Sequence, residues 1–363
     1  MSILVTGANG FLASHIVDQL LDAGHRVRGS VRSGKEDGLR SAYASYGEKF
    51  EVVVIDDIAT SDLEPAFQGV RAVIHSATAI PQSTNAEHTL EVGAYYYILM
   101  KAFHSLKRQL NQTAIDGTRH ILRAARAANV RNVVVTSSLA ALFVNNMKDD
   151  QKDATVDENS WNPLTMEDAL QPGVDPVVAY GVSKKLSEQV VWQFANDNPD
   201  IDVVTVVPPW CIGPISPHSL NPAEAVKTYS NQVIYSIING FEGRPFREFA
   251  EHHKDYIPVF VHISDIGRAH VLALESAPSS TPKRVLVSGG YLYLSDAVRH
   301  IATARPQLRH RLPATDEAFQ ENRGHMKVDA SSASKILGMR TYKSWQETVE
   351  ETVDDILRVQ GRN

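Results

Sequence analysis

The stretch that decides the fold is Met1 to Ser14, MSILVTGANGFLAS. A short apolar run, Ile3-Leu4-Val5, meets Thr6-Gly7-Ala8-Asn9-Gly10, and an amphipathic stretch from Phe11 to Ala23 follows at once. That order reads as strand, glycine-rich turn, helix. Gly7 permits the tight turn because it has no Cβ to clash at unusual φ. Gly10 lets backbone come close to a ligand, and Ala13 is small enough for the helix to lie near the strand. The N–H groups at the helix start then face outward with the positive end of the helix dipole, a setting for a pyrophosphate. The spacing G-x-x-G-x-x-A is looser than the usual dinucleotide fingerprint, so on this segment alone a plain strand–turn–helix packed with small residues stays open.

Working outward, apolar runs alternate with helical periods. Strands are expected at His25–Val31, Phe50–Ile55, Val70–His75, Val130–Thr136 and Ile201–Val207, with shorter ones at Val259–His262 and Arg284–Ser288. Helices are expected over Pro222–Asn239, from Ser264 to near Ser276, and over Leu294–Ala304 and Ser344–Val359. Strands alternating with helices predict right-handed crossovers and an α/β fold with a doubly wound parallel sheet. The expected division is a dinucleotide-binding unit over 1–207, with 256–290 returning to it, and a smaller carboxyl-terminal substrate lobe from 208–255 and 291–363.

The bulk composition narrows the class. The chain has 363 residues, 43% hydrophobic and 21% charged, ordinary for a globular protein. A net charge of −6 gives no sign of a nucleic-acid or acidic-membrane partner. Cys211 is the only cysteine, which fits a reducing compartment. The opening strand leaves no room for a signal peptide, and the most apolar window, Tyr95–Phe103, is short of a membrane span, so the expected location is cytoplasmic. The fourteen histidines are scattered and no H-E-x-x-H is present, so no metal is expected. Glu347, Glu350, Glu351, Asp354 and Asp355 read as a solvated helix face. No G-x-S-x-G hydrolase signature occurs.

Cofactor choice is read at the end of the second strand. An acidic residue there favours NAD, whereas a nearby Arg accommodates the 2′-phosphate of NADP. The segment reads Arg28-Gly-Ser-Val-Arg32-Ser33, with Lys35 beyond, so cations and no carboxylate sit at the tip and NADPH is expected. Asp56-Asp57 close the third strand, and Asp57 either accepts a bond from the adenine amine or serves helix capping before Asp62. After the fourth strand, Ser76-Ala77-Thr78-Ala79 lets backbone pass close to the cofactor. The segment from His75 to Gly117 is long and carries a tyrosine-rich stretch at 94–109, read as a lid, an interface or an obstruction.

Two stretches carry chemistry. Thr136-Ser137-Ser138 ends the fifth strand, and Tyr180-Gly-Val-Ser-Lys184 opens a helix expected to run through Phe194. Four residues apart, Tyr180 and Lys184 share one helix face. A phenol with a pKa of about 10 is a poor acid at neutral pH, and a nearby ammonium lowers that value. A Ser138 hydroxyl would then hold a carbonyl oxygen in place. Together these are a proton donor, its tuner and a polarising hydrogen bond, the parts for carbonyl reduction.

TGANGFLASH, VVVTSSLAAL, SWNP and AYGVSKKLSEQ, together with Gly213-Pro214 and the run Asp265 to His270, resemble the extended short-chain dehydrogenase/reductases across nearly the whole chain. The likeness runs to the fungal NADPH-dependent aldehyde and ketone reductases, with the dihydroflavonol-4-reductases as cousins. This resemblance implies a Rossmann fold and hydride transfer from NADPH to an aldehyde or ketone, with Ser138, Tyr180 and Lys184 catalytic. It places Gly7, Asn9, Gly10, Phe11 and Leu12 on the pyrophosphate, and Arg32 and Lys35 on the 2′-phosphate. Asp57 and Ile58 fall at the adenine, Ala77 and Thr78 along the cofactor, Lys184 at the nicotinamide ribose, and Pro208 near the nicotinamide. Phe143, Val177 and Trp210 are the candidate substrate walls. The implied partner is a small carbonyl compound, with the protein a monomer or homodimer. Competing readings are a sugar-nucleotide epimerase or dehydratase of the same superfamily, and a catalytically silent NADP-binding regulator.

Overall fold

Strands buried on both faces are apolar throughout, and the runs at the centre of this chain have that character. The computed structural model describes residues 1–77, 114–144, 155–171, 173–227, 229–253, 256–315 and 327–361. The tyrosine-rich stretch 94–109 and Thr78 lie outside these residues. In chain order the first half gives β1 (Ser2–Thr6), α1 (Phe11–Asp22), β2 (Val27–Val31), α2 (Glu36–Ala42), β3 (Phe50–Val54), α3 (Glu64–Phe67) and β4 (Val70–His75). A helix over 114–127, α4, leads to β5 (Asn132–Thr136). Then come β6 (Thr155–Val156), α5 (Met166–Leu170), α6 (Pro176–Asp197), β7 (Asp202–Val207) and β8 (Trp210–Ile212). The last part holds α7 (Pro222–Ala225), α8 (Tyr229–Ile238), α9 (Phe246–His252), β9 (Val259–His262), α10 (Ile263–Glu275), β10 (Lys283–Leu286), β11 (Gly290–Tyr291), α11 (Leu294–Ala304), β12 (Lys327–Val328), α12 (Ser331–Leu337) and α13 (Trp345–Val359).

Among the described residues the main sheet has seven strands in the order β10-β7-β5-β4-β1-β2-β3, every pair parallel. The chain moves outward from β1 to β3, then returns to the other side of β1 at β4. That reversal makes the β1/β4 boundary the switch point where a doubly wound sheet opens a crevice at its carboxyl edge. Register brings Thr6 level with His75, and Thr136 level with Val206, along this edge.

One apolar core joins α1 and α10 to a face of the sheet, through Ile16, Val17 and Leu20 against Ile266 and Ala269. Gly267 makes this packing possible, since a Cβ there would lie 2.5 Å from Gln19 Nε2. A second core, with Ile234, Phe249, Phe260, Val298 and Val353, lies among α8, α9, α11, α13 and the small sheet β8-β9-β11. α12 belongs with the first core through Ala333 and Leu337.

Two expectations change. The helix expected over 222–239 is two helices, α7 and α8. The acidic face of α13 is not simply solvated. Asp355 is buried beside the core residues Thr352 and Ile356, and its Oδ2 accepts the Ile215 N–H at 2.9 Å. Glu350 and Asp354 pair with Arg305, and Glu351 with Lys343.

Candidate active site

The glycine turn forms as its residues require. Gly7 adopts φ +69°, and a Cβ on it would stand 3.2 Å from the Ala77 Cβ, so β1 and the residues after β4 close on each other here. Gly10 donates its N–H to Gly7 O and stands at the N-cap of α1 with no side-chain cap. The early amides of α1, at Phe11 and Leu12, therefore lack the partner that a capping side chain would give. Gly29 presses on the same turn: a Cβ there would lie 2.8 Å from the Ala8 Cβ. A cradle this close, with bare amides at a helix start, fits the pyrophosphate of a dinucleotide. Asn9 flanks it, half-buried.

Arg32 and Lys35 are both exposed on the turn after β2. Asp56 Oδ1 accepts the Ser33 N–H at 2.8 Å and so fixes this turn, and the Ser33 side chain, with that backbone N–H second, holds the Asp56 carboxyl below its usual pKa. Asp57 bends onto its own segment, accepting from Ala59 N at 2.9 Å while its N–H donates to Ser61 Oγ. Ile58 packs against Gly117 of α4, where a Cβ would lie only 2.4 Å from its Cγ2.

At the β1/β4 switch point, Thr6 Oγ1 accepts the N–H groups of Ser76 and Ala77 and meets His75 Nδ1 at 2.9 Å. His75 is buried, and its pKa drops to about 4, mainly through desolvation with the Lys184 charge adding to the effect.

The reacting groups converge from β5 and α6. After β5, Ser138 caps a short 3-10 turn, Leu139–Ala141, and its Oγ accepts the Ala140 N–H. Pro208 after β7 pins the loop, its carbonyl accepting the Leu139 N–H at 2.8 Å. α6 starts one turn earlier than Tyr180, at Pro176, because Asp175 caps it by accepting the Val177 N–H. Tyr180 thus lies in the second turn. Tyr180 is 37% exposed as a whole residue, while its phenol end is enclosed beside Ser138. Lys184 Nζ stands 5.9 Å from the Tyr180 ring centroid.

The electrostatics differ from the expected tuning. Burial raises the Tyr180 phenol pKa, and the Ser138 hydrogen bond offsets part of this. Lys184 is desolvated as well, which lowers its own pKa to about 8, with Glu188 pulling it back upward. The phenol is therefore governed by burial and Ser138 rather than drawn down by the ammonium. Cys211 is buried, its thiol pushed up to about 12 by desolvation, and is a small core residue rather than a nucleophile.

Of the substrate-wall candidates, Phe143 is buried in an apolar cluster with Leu142, Val207 and Val259. Val177 and Trp210 are half-buried, and Trp210 rests on Tyr256 with ring centroids 5.5 Å apart. Sequence reasoning gave no role to several residues that hold this centre. Asn162, from SWNP, donates to Ala140 O at 3.1 Å and Phe143 O at 2.9 Å, so its segment turns inward. Gly181 lies against it: a Cβ there would be 2.9 Å from Ala140 O and from Asn162 Nδ2. Glu188 and Arg284 form a buried ion pair at 2.7 Å. The signal for Glu188 was its spacing, four residues beyond Lys184 and eight beyond Tyr180, on one helix face. Among the described residues no cluster of His, Cys, Asp and Glu could hold a metal ion, and no helix is long and apolar enough to cross a membrane.

A wholly parallel doubly wound sheet, a bare glycine turn at its switch point and a Ser–Tyr–Lys set at its carboxyl edge define an extended short-chain dehydrogenase/reductase. The chain belongs to the NAD dependent epimerase/dehydratase family, whose model matches residues 3–289. A relative in Schizosaccharomyces pombe, named only as an uncharacterized oxidoreductase, is 32% identical over 360 residues, covering 96% of this chain and 95% of the relative. The NADPH-dependent methylglyoxal reductase GRE2 of Saccharomyces cerevisiae is 29% identical over 374 residues, covering 100% of both chains. The crystal structure of yeast methylglyoxal/isovaleraldehyde reductase Gre2 with NADPH superposes with a TM-score of 0.78 at 27% identity, again over 100% of both chains.

Proposed function

We propose that Ser138, Tyr180 and Lys184 are the catalytic groups of an NADPH-dependent carbonyl reductase that turns an aldehyde or ketone into the alcohol. The observation that carries this reading is the packing of α6 on the Ser138 turn at the carboxyl edge of the sheet, where a Cβ on Gly181 would lie 2.9 Å from Ala140 O, with Tyr180 beside it and Lys184 one turn further along α6. NADPH, when bound, supplies the hydride.

The chain's own residues do the rest. The Ser138 and Tyr180 hydroxyls hold a carbonyl oxygen by two hydrogen bonds, which polarises the C=O and orients it. Tyr180 gives its proton to that oxygen as negative charge develops there. Its raised pKa keeps it fully protonated at neutral pH, as a proton donor must be, at the cost of acid strength. Lys184, one turn along the same face of α6, is the cation that binds the nicotinamide ribose. Gly7, Asn9, Gly10, Phe11 and Leu12 hold the pyrophosphate. Arg32 and Lys35 meet the 2′-phosphate, Asp57 and Ile58 line the adenine side, and Ala77 and Pro208 run along the cofactor. The substrate class to examine first is short aldehydes and α-dicarbonyl compounds, because the yeast relative is named for methylglyoxal. The single, buried Cys211 suits a cytoplasmic protein.

The test is NADPH oxidation with a panel of aldehydes and ketones, with NADH run beside it. The expected result is faster turnover with NADPH and a loss of about 10²–10⁴-fold in kcat for Y180F, the range for general acid catalysis. Equal kcat in Y180F and wild type overturns the assigned proton donor.

A further inference from the structure

Glu188 has no part in the chemistry so far, yet both of its oxygens are committed at the site. It lies on α6, 2% exposed, two turns beyond Tyr180 and one beyond Lys184. Its Oε2 accepts from Ser137 Oγ at 2.5 Å, and Ser137 immediately precedes Ser138. Its Oε1 accepts from Arg284 Nε at 2.7 Å. Arg284 is anchored in turn. It reaches from β10 to the carbonyls of Glu158 and Ser160, and its guanidinium lies 3.8 Å from the Trp161 ring centroid and 5.0 Å from that of Trp192. One carboxylate therefore links three elements that are separate in sequence: the end of β5, the catalytic face of α6, and β10.

We propose that Glu188 is a positioning residue of the reaction, its two oxygens fixing the Ser137–Ser138 pair against the helix that presents Tyr180 and Lys184, and its charge facing Lys184 across one helical turn. This rests on the roles assigned above to Ser138, Tyr180 and Lys184. The bond to Ser137 sets where the Ser138 hydroxyl stands relative to the phenol. The charge favours the ammonium form of Lys184 in a desolvated setting. Arg284 prevents the carboxylate from being an uncompensated buried charge.

A purely architectural ion pair would stabilise the fold and leave the ionisation of Lys184 alone, and this separates the two roles. Among the described residues, the titratable groups around Lys184 are Tyr180 and Glu188 on α6 and His75 on β4. Cys211 of β8 stands near Tyr180, and Arg284 of β10 faces Glu188. His75 titrates at about 4, Cys211 at about 12, and the phenol above its ordinary value. A fall in kcat on the alkaline side of neutrality would therefore report Lys184, whose pKa burial lowers to about 8.

The experiment compares wild type, E188Q, S137A and Y180F. It measures kcat across pH, NADPH Kd by titration and the thermal midpoint. For S137A, kcat falls about tenfold, NADPH Kd stays near wild type and the alkaline limb does not move, as for loss of one hydrogen bond to a charged group. For E188Q, kcat falls further and the alkaline limb moves to lower pH by about one unit. If E188Q fails to fold, E188D keeps the charge on a shorter arm. Its kcat then falls with the limb unmoved. Wild-type kcat and limb in folded E188Q, or wild-type kcat in S137A, overturns the proposal, as does a kcat loss that only tracks the unfolded fraction. Full activity in Y180F is a different failure, that of the assignment on which the proposal rests.

Discussion

Thr6 Oγ1 lies 2.9 Å from His75 Nδ1, and the bond runs in one direction only. The Thr6 oxygen already accepts two N–H groups, from Ser76 at 3.1 Å and Ala77 at 3.0 Å. A hydroxyl has two lone pairs and one proton, so its proton goes to the histidine. That makes Nδ1 the acceptor and puts the ring hydrogen of His75 on Nε2. One buried threonine thus closes β1 on β4 and turns the chain back toward Gly7.

Replacing that hydroxyl by a methyl tests the arrangement. T6V strands two N–H groups and the His75 Nδ1 in an enclosed place. Each unpaired buried group costs about 1–3 kcal/mol, well above what the extra apolar methyl returns. Urea unfolding of T6V should show a lower midpoint, and NADPH titration a raised Kd, since Ala77 flanks Gly7. An unchanged midpoint in T6V would show that these bonds carry no net stability.

Acid should unfold the protein through its neutral histidines. His75 and His270 have pKa values lowered to about 4, burial being the first cause for each. His270 Nδ1 donates to Ile266 O at 2.8 Å and its Nε2 accepts from Thr136 Oγ1. An unfolded histidine binds its proton near 6.5. Between 6.5 and 4 the unfolded chain therefore holds more protons than the folded one, so stability is full above 6.5 and falls as pH drops toward 4. Each such group contributes a slope of about 1.4 kcal/mol per pH unit at most. Chemical denaturation of H270Q over that range should give a shallower slope than wild type. Parallel slopes would remove His270 from the explanation.

Gly181 is the tightest point between the Tyr180 helix and the Ser138 loop. In an ordinary helix, Gly→Ala gains about 1 kcal/mol. Here the added Cβ meets Ala140 O, a backbone atom, and Asn162 Nδ2, both at 2.9 Å. Overpacking costs about 1–3 kcal/mol, so the clash outweighs the helix gain. The loop that must yield carries Ser138, and a shift of about 1 Å there is worth about 10²-fold in rate. G181A should show a lower thermal midpoint and a kcat loss of that order, with NADPH binding retained. A G181A enzyme as fast as wild type would mean that the loop gives way without moving Ser138.

The parts legible in the sequence are those fixed by near neighbours. The β1–turn–α1 unit was readable because Gly7, Gly10 and the apolar run act within a few residues of each other. Leu294–Ala304 was readable residue for residue, since its apolar period is regular. The start of α6 was missed although Asp175-Pro176 is a cap followed by a residue suited to the first turn. Long-range partners were beyond reach. Arg284 meets Glu188 from 96 positions away, and a buried ion pair leaves no local mark on either residue. Trp161 and Trp192 likewise meet at 5.6 Å, with Arg284 beside both. The phenol's tuning was misjudged for a related reason: the i,i+4 spacing shows which residues share a face, but not how deeply that face is buried.

Lys184 should set stability and activity against each other along the pH axis. Its folded pKa, about 8, lies below the ordinary lysine value of 10.5, with burial the main cause. Below 8 both folded and unfolded chains carry the charge, and the folded one bears the cost of desolvating it. Between 8 and 10.5 the unfolded chain binds more protons, so this residue's contribution to stability rises with pH. Turnover moves the opposite way, because the Lys184 charge that the reaction uses is lost over the same interval. K184M removes the buried charge while Glu188 keeps Arg284 as its partner. At neutral pH this variant should resist urea better than wild type while losing most of its kcat, and its stability should no longer rise above pH 8. A less stable K184M, or wild-type turnover that holds steady as pH rises past 8, would mean that Lys184 is neither strained by burial nor needed as a cation.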